Sequence, residues 1–246
     1  MRYAVEMPTR DRNTTLVQCL RTFEQQVPKP DFIVIVNNNT DGILPEIPAL
    51  SIPLSVIHNR YSVPGPEQAH QTALEFFVER DIKVGVRWDD DLLPRQGCMK
   101  ALLAHFEDPY FNGVVGGCYP RPGYPIWNNT GVTPLPLNQP PAHLQFFEWQ
   151  NKVMKHVPSL YSGMMYSTKR ALQIGGFCTE YSQLGFRGET DFSIRMENCR
   201  IEPHAVAVHL LAVGGVRTIG NPLAIEKIDQ ALFDKRMKDN KWQEEL

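Results

Sequence analysis

Three carboxylates stand side by side at Asp89-Asp90-Asp91, directly after the strand-like run Ile82 to Trp88. Adjacent carboxylates repel one another, and a cation between them relieves the repulsion. Mg2+ and Mn2+ seek oxygen ligands and are often held by one or two carboxylates plus substrate phosphates. Asp89 and Asp91 lie two apart, so both could reach one ion if the strand ends in a turn. The same triplet would also suit the first turn of a helix, where acids complement the dipole. Further on, Gly188-Glu189-Thr190-Asp191-Phe192 opens a helical stretch. A carboxylate there could serve as general base toward an attacking hydroxyl, or only face the helix dipole. His209 closes the apolar stretch Ala205 to His209. It is either a hydrogen-bonded core residue or a further metal ligand.

The elements that must position these groups alternate along the first half. Tyr3 to Met7 reads as a strand, and Asn13 caps a helix in which Leu16, Leu20 and Phe23 recur at helical spacing. Asp31 to Val36 is a continuous apolar run, as in a parallel sheet covered on both faces. It ends in the polar loop Asn37 to Gly42. Ile52 to Ile57, Ile82 to Trp88 and Gly113 to Tyr119 read as strands. Ala69, Ala73, Phe76 and Phe77 mark a helix between the first two of these, and Pro94 starts another before the third. This is an α/β pattern. Ligands in open parallel sheets sit beyond the carboxyl ends of the strands. Pro8 to Arg12, Asn37 to Gly42 and Asp89 to Asp91 all fall at such ends, so they are expected to meet in space.

The second half is less regular. Pro120 to Pro141 holds seven prolines and is expected to be a surface excursion or a lid. Phe146 to Val157 reads as a helix, Leu160 to Ser167 as a strand, Lys169 to Ile174 as a short helix and Ala205 to Leu211 as a strand. Asn221-Pro222 opens a final helix with Ile225, Ile228, Leu232 and Phe233 on its apolar face.

In order and spacing these motifs resemble family 2 of the glycosyltransferases. That family has the GT-A fold of the nucleotide-diphospho-sugar transferase superfamily. Pro8-Thr9-Arg10-Asp11-Arg12 resembles P-T-x-[ND]-R, and Val34 to Gly42 resembles V-V-D-N-x-S-T-D-G with one residue fewer. Gly65, Ala69, His70, Gln71, Ala73 and Leu74 fall on G-x-x-x-A-R-N-x-G-L. Asp89-x-Asp91-x-x-Pro94 matches D-x-D with its trailing proline. Gly163 with Met164, and Gly175-Gly176-Phe177, resemble the acceptor-side strand and the G-G-F turn. Glu189 to Arg195 resembles E-D-x-D-L-S-x-R, and His209 a histidine near the end of the catalytic domain.

The resemblance implies an α/β fold with a GT-A, Rossmann-like, mostly parallel central sheet flanked by helices. Residues 1–216 would form the catalytic domain, with a nucleotide-sugar half at 1–118 and an acceptor half at 119–216. Residues 217–246 would be a C-terminal helical extension. The implied donor is a nucleotide-diphospho-sugar, a UDP-sugar foremost. Pro8, Thr9, Arg10, Arg12, Asn37, Asn38, Asp41, His70, Asp89 and Asp90 would bind it. Asp89, Asp91 and His209 would hold Mn2+ or Mg2+. Glu189 would be the base of an inverting transfer, with Asp191 supporting it or taking its place. Trp127, Gly163 and Trp149 fall on the acceptor side. Asn37, His70 and Glu189 depart from the family's usual Asp, Arg and Asp. The acceptor is open: a glycan, a lipid-linked sugar, a peptide, a small molecule or a modified base.

Composition narrows the alternatives. The chain has 246 residues, of which 42% are hydrophobic and 21% charged, as in a folded domain. A formal net charge of -2 argues against a basic surface for nucleic acid. The stretch Ala205 to Val216 is too short and polar to span a membrane. The N-terminus does not read as a signal peptide, and the five cysteines form no C-x-x-C motif. These features lead us to expect reduced thiols and a cytoplasmic location, with peripheral membrane attachment left open, as a monomer or homodimer. A sugar-nucleotide nucleotidyltransferase would need a Gly-rich phosphate loop and a Lys after the first strand, which Met7 to Arg12 lacks. A non-catalytic nucleotide- or sugar-binding module on the same fold is the other alternative. The retained Asp89, Asp91 and Glu189 argue against it.

Overall fold

The computed structural model describes residues 1–39, 41–118, 154–155, 160, 163–210 and 221–239. Trp127, Trp149, the proline-rich excursion and most of the helix expected at 146–157 lie outside them. The strands are β1 (Tyr3–Thr9), β2 (Phe32–Asn37), β3 (Leu54–His58), β4 (Val84–Arg87), β5 (Leu92–Pro94), β6 (Val114–Cys118), β7 (Met154–Lys155), β8 (Met164–Ser167) and β9 (Cys199–His209). The helices are α1 (Asn13–Glu24), α2 (Pro66–Glu79), α3 (Cys98–Ala104), α4 (Thr168–Gln173), α5 (Gly188–Met196) and α6 (Pro222–Asp239).

All nine strands join one sheet, ordered β3-β2-β1-β4-β8-β6-β9-β5, with β7 also on β9. The expected α/β architecture is present. β3, β2, β1 and β4 run parallel, and β8 runs antiparallel to both β4 and β6. The first strands alternate between two covered faces. Tyr3, Val5, Met7, Ile33 and Ile35 meet Leu16, Leu20 and Phe23 of α1. Ala4, Val34 and Val36 meet Ala69, Ala73, Phe76 and Phe77 of α2. A sheet buried on both faces explains why the second strand reads as an unbroken apolar run. A further cluster joins β8, β6, β9 and α5, where Phe177 stacks on Phe192 at 4.0 Å.

Three expectations need correction. Pro94 does not start a helix. Leu92–Pro94 is an edge strand antiparallel to β9, and α3 starts only at Cys98, after Gly97 turns through the left-handed region at φ 86°. Pro is tolerated there because an edge strand can spare its N–H. Met154 and Lys155, expected to be helical, pair with Ile201 and Arg200 as a strand. The final helix buries its expected apolar face only in part: Ile225, Leu232 and Phe233 are half-buried, Ile228 is 65% exposed, and the fully buried residues are Asp229 and Met237. Polar contacts fasten this helix. Asp229 accepts from Ser182 N, Ser182 Oγ and Phe186 N at 2.8, 2.7 and 2.9 Å. Arg187 Nε donates to Gln230 Oε1 at 2.8 Å. No helix among the described residues is long and apolar enough to cross a membrane.

Candidate active site

The three polar segments at the strand ends meet, because the parallel register puts Thr9 opposite Asn37 and Glu6 opposite Arg87. Asn38 N donates to Thr9 O at 2.9 Å, and Asp11 N to Asn39 Oδ1 at 2.8 Å. Thr9 Oγ1 donates to Asp90 Oδ2 at 2.7 Å. Arg12 Nη1 lies 3.0 Å from Asp90 and 3.2 Å from Asp91. Burial pushes the Asp90 carboxyl up to about 7, although Arg12 and Thr9 pull it down. Pro8, Thr9, Arg10, Arg12, Asn38, His70, Asp89 and Asp90 line one small cavity, together with Pro66. Eight of the ten expected donor residues are therefore neighbours. The other two shape the adjoining loop: Asn37 Nδ2 donates to Ile43 O, and Asp41 Oδ1 accepts from Ile43 N. Asp41 also faces a second cavity of about 260 Å³ shared with Thr9 and Arg12.

The acidic triplet lies between two strands, not at a helix N-terminus. Leu92 N donates to Asp89 O at 3.2 Å and closes the turn. Leu92 pairs with His209 in the β5–β9 ladder, and Leu210 N donates to Asp91 O at 2.8 Å. This register brings one atom each of Asp89, Asp91 and His209 within 4.8 Å of one another. His209 Nε2 is 3.7 Å from Asp91 Oδ1. Two carboxylate oxygens and an imidazole nitrogen suit Mn2+ or Mg2+, and substrate oxygens would complete the shell. The donor set therefore fits a divalent cation. Beneath it, Trp88 is fully buried and donates Nε1–H to Leu92 O at 2.6 Å. Gly163, expected on the acceptor side, packs here. A Cβ on it would collide with the Trp88 ring and Leu92.

Glu189 and Asp191 diverge. Two residues along a helix are rotated by roughly 200°, so they face opposite ways. Glu189 lines a cleft of about 600 Å³ with Arg12, Arg87, Asp89 and Arg187. Asp191 is fully buried behind it, 2.8 Å from Arg195 Nη2 and 3.0 Å from Arg236 Nε of α6. The residue preceding α5, Arg187, holds a left-handed φ of 71°, a strained conformation at the entrance to the site helix. Pro222 and Glu226 of α6 complete the cleft wall.

Sequence reasoning missed Arg87 and Glu67. Arg87 Nη2 lies 2.9 Å from Glu67 and 3.6 Å from Glu189, and both Arg87 and Glu67 are buried. A charged residue in the otherwise apolar strand Val84–Arg87 was the available signal. His70 is fully buried with Nδ1 3.2 Å from Glu6 Oε2. Burial drives its imidazole well below the ordinary value, with Arg87 adding to the effect. Glu6 is driven well above its own by burial, against the Tyr166 hydroxyl that donates to it.

Comparison with solved structures supports the fold. The Staphylococcus aureus TarS fragment 1–349 in complex with UDP-GlcNAc is 13% identical, with a TM-score of 0.61. The match covers 90% of this chain and 62% of that one. Mannosyltransferase PcManGT from Pyrobaculum calidifontis, in complex with GDP-Man and Mn2+, is 16% identical with a TM-score of 0.59. It covers 88% and 59% of the two chains. GalNAc-T7 with UDP, GalNAc and Mn2+ is 11% identical with a TM-score of 0.64, covering 90% and 45%. The chain thus spans less than two thirds of the length of each of these three structures. No curated protein matches significantly. The family model described as glycosyl transferase family 2 matches residues 4–171, well over half of the chain, so the chain belongs to that family.

Proposed function

We propose that the protein transfers a sugar from a nucleotide-diphospho-sugar to an acceptor hydroxyl, using Mn2+ or Mg2+ held by Asp89, Asp91 and His209. One observation carries this reading: the Asp89-Asp91-His209 cluster shares, through Asp89, a cleft with Glu189. Bound there, the cation would supply Lewis-acid neutralisation of the leaving diphosphate. The chain's own groups do the rest. Pro8 to Arg12, Asn38 and His70 form the donor cavity, and Arg12 braces Asp90 and Asp91. Glu189 takes the proton from the acceptor hydroxyl as that oxygen attacks the anomeric carbon. The bond to the nucleoside diphosphate breaks in the same step, and the anomeric configuration inverts. Asp191, enclosed by two arginines, supports α5 and leaves the base role to Glu189. A UDP-sugar is the first donor to try. The buried free thiols Cys19, Cys178 and Cys199 favour a reducing compartment such as the cytoplasm.

Calorimetry with UDP and GDP, with and without Mn2+, tests the reading. Nucleotide binding should strengthen with the metal and lose that dependence in Asp91→Ala. Equal affinity of the parent protein with and without metal would overturn it. A hydrolysis screen over UDP- and GDP-sugars then identifies the donor.

A further inference from the structure

Two buried charged groups beneath Glu189 have no part in donor or metal binding as described. Arg87 is 2% exposed and Glu67 is fully buried. Arg87 Nη2 reaches Glu67 Oε1 at 2.9 Å and Glu189 Oε1 at 3.6 Å. The seat is shaped for this contact. A Cβ on Gly188 would collide with the Glu67 carboxyl, and one on Gly185 with Pro66. The first two turns of α2 also grip the segment that leads to Glu189. Gln68 Nε2 donates to the carbonyls of Thr179 and Tyr181, and Gln71 Oε1 accepts from Phe177 N. A buried ion pair seldom stabilises a fold more than an apolar pair of the same size. Stability alone therefore does not account for this one.

We propose that Arg87, anchored by Glu67, is a positioning residue that holds the Glu189 carboxylate toward the acceptor hydroxyl. The proposal rests on Glu189 as the base. Burial pushes Glu67 up to about 8 in spite of Arg87. Burial also opposes the charge on Arg87, but Glu67, Glu189, Asp89 and Glu6 together outweigh it. Arg87 lies within 3.6 Å of both carboxyl groups at once, so one guanidinium links the buried anchor to the carboxylate in the cleft.

The test is the double variant Arg87→Met with Glu67→Met, which removes both buried polar groups at nearly constant volume. Hydrolysis is followed on whichever of UDP-N-acetylglucosamine, UDP-glucose and GDP-mannose the parent protein cleaves fastest. The double variant should fold and bind UDP with Mn2+. Its kcat should fall roughly 30- to 100-fold, the cost of a base misplaced by about 1 Å, with KM within about threefold. Arg87→Met alone should lose no less than the double variant, because the two residues act as one unit. Arg87→Lys should regain roughly tenfold of the Arg87→Met loss. A double variant with parental kcat overturns the proposal. Loss of its fold overturns it too, by assigning the pair to stability. Failure of the parent protein to bind UDP with Mn2+, or to cleave any of the three sugars, would instead overturn the site reading beneath it.

Discussion

Asp229→Ala should loosen the segment that carries Glu189 without unfolding the sheet. The Asp229 side chain is 1% exposed and accepts three hydrogen bonds, from Ser182 N, Ser182 Oγ and Phe186 N. Hydrogen bonds to a charged acceptor contribute about 1.5–3 kcal/mol each. These three share one carboxylate and sit in a partly buried segment, so a combined loss of about 3 kcal/mol is the reasonable magnitude. At about 1.4 kcal/mol per decade, local opening becomes roughly 150-fold more frequent. Hydrogen–deuterium exchange should register that change in peptides covering residues 178–190. The amides of β1, held between β2 and β4, should exchange as in the parent protein. Exchange within about threefold of the parent at Ser182 and Phe186 would refute the reasoning. It would mean that α6 rests on the body without restraining it.

Other outcomes follow from the site. Glu189→Gln should bind UDP and Mn2+ like the parent protein yet lose turnover by about 100-fold or more, read by the hydrolysis assay. Asp191→Asn leaves Arg195 and Arg236 without their shared carboxylate, so it should cost about 3 kcal/mol in denaturant unfolding. Unchanged stability would show those contacts to be incidental. Burial pushes the Glu67 carboxyl up to about 8 from an ordinary 4.5, so the folded state retains its proton longer than the unfolded chain. The stability it contributes is therefore lost as pH rises from about 4.5 to about 8. Glu67→Gln should flatten that part of the melting-temperature profile, measured without metal, and an unaltered slope would count against the assignment.

Much of the nucleotide half was legible because its strands are local signals. An apolar run ending in Asn37 or Asp89 marks both a strand and its carboxyl end, and parallel sheets gather such ends. The divergence of Glu189 and Asp191 was also within reach, since helical rotation alone separates them. What the sequence hid depends on partners far along the chain. Leu92–Pro94 is a strand only because β9 runs beside it, so Pro94 reads locally as a helix start. α6 has four candidate apolar residues, yet it is fixed by Asp229 to Ser182, a partner that no periodicity indicates. The Arg87–Glu67 pair likewise joins a strand and a helix whose charges look unremarkable in isolation.

β9 acts as a ruler between the core and the metal cluster. Ala205, Ala207 and His209 all fall on its buried row, while Val206 and Val208 are partly exposed. Side chains alternate with a period of two over this stretch, so the number of residues from Ala205 to His209 decides which way the imidazole points. Substitution along this strand trades one side chain for another. Loss or gain of a single residue between Ala205 and His209 would instead turn His209 away from Asp89 and Asp91 while leaving Ala205 in the core. Chain length there is thus a constraint on chemistry, separate from composition, and β9 should tolerate new residue types more readily than a new count.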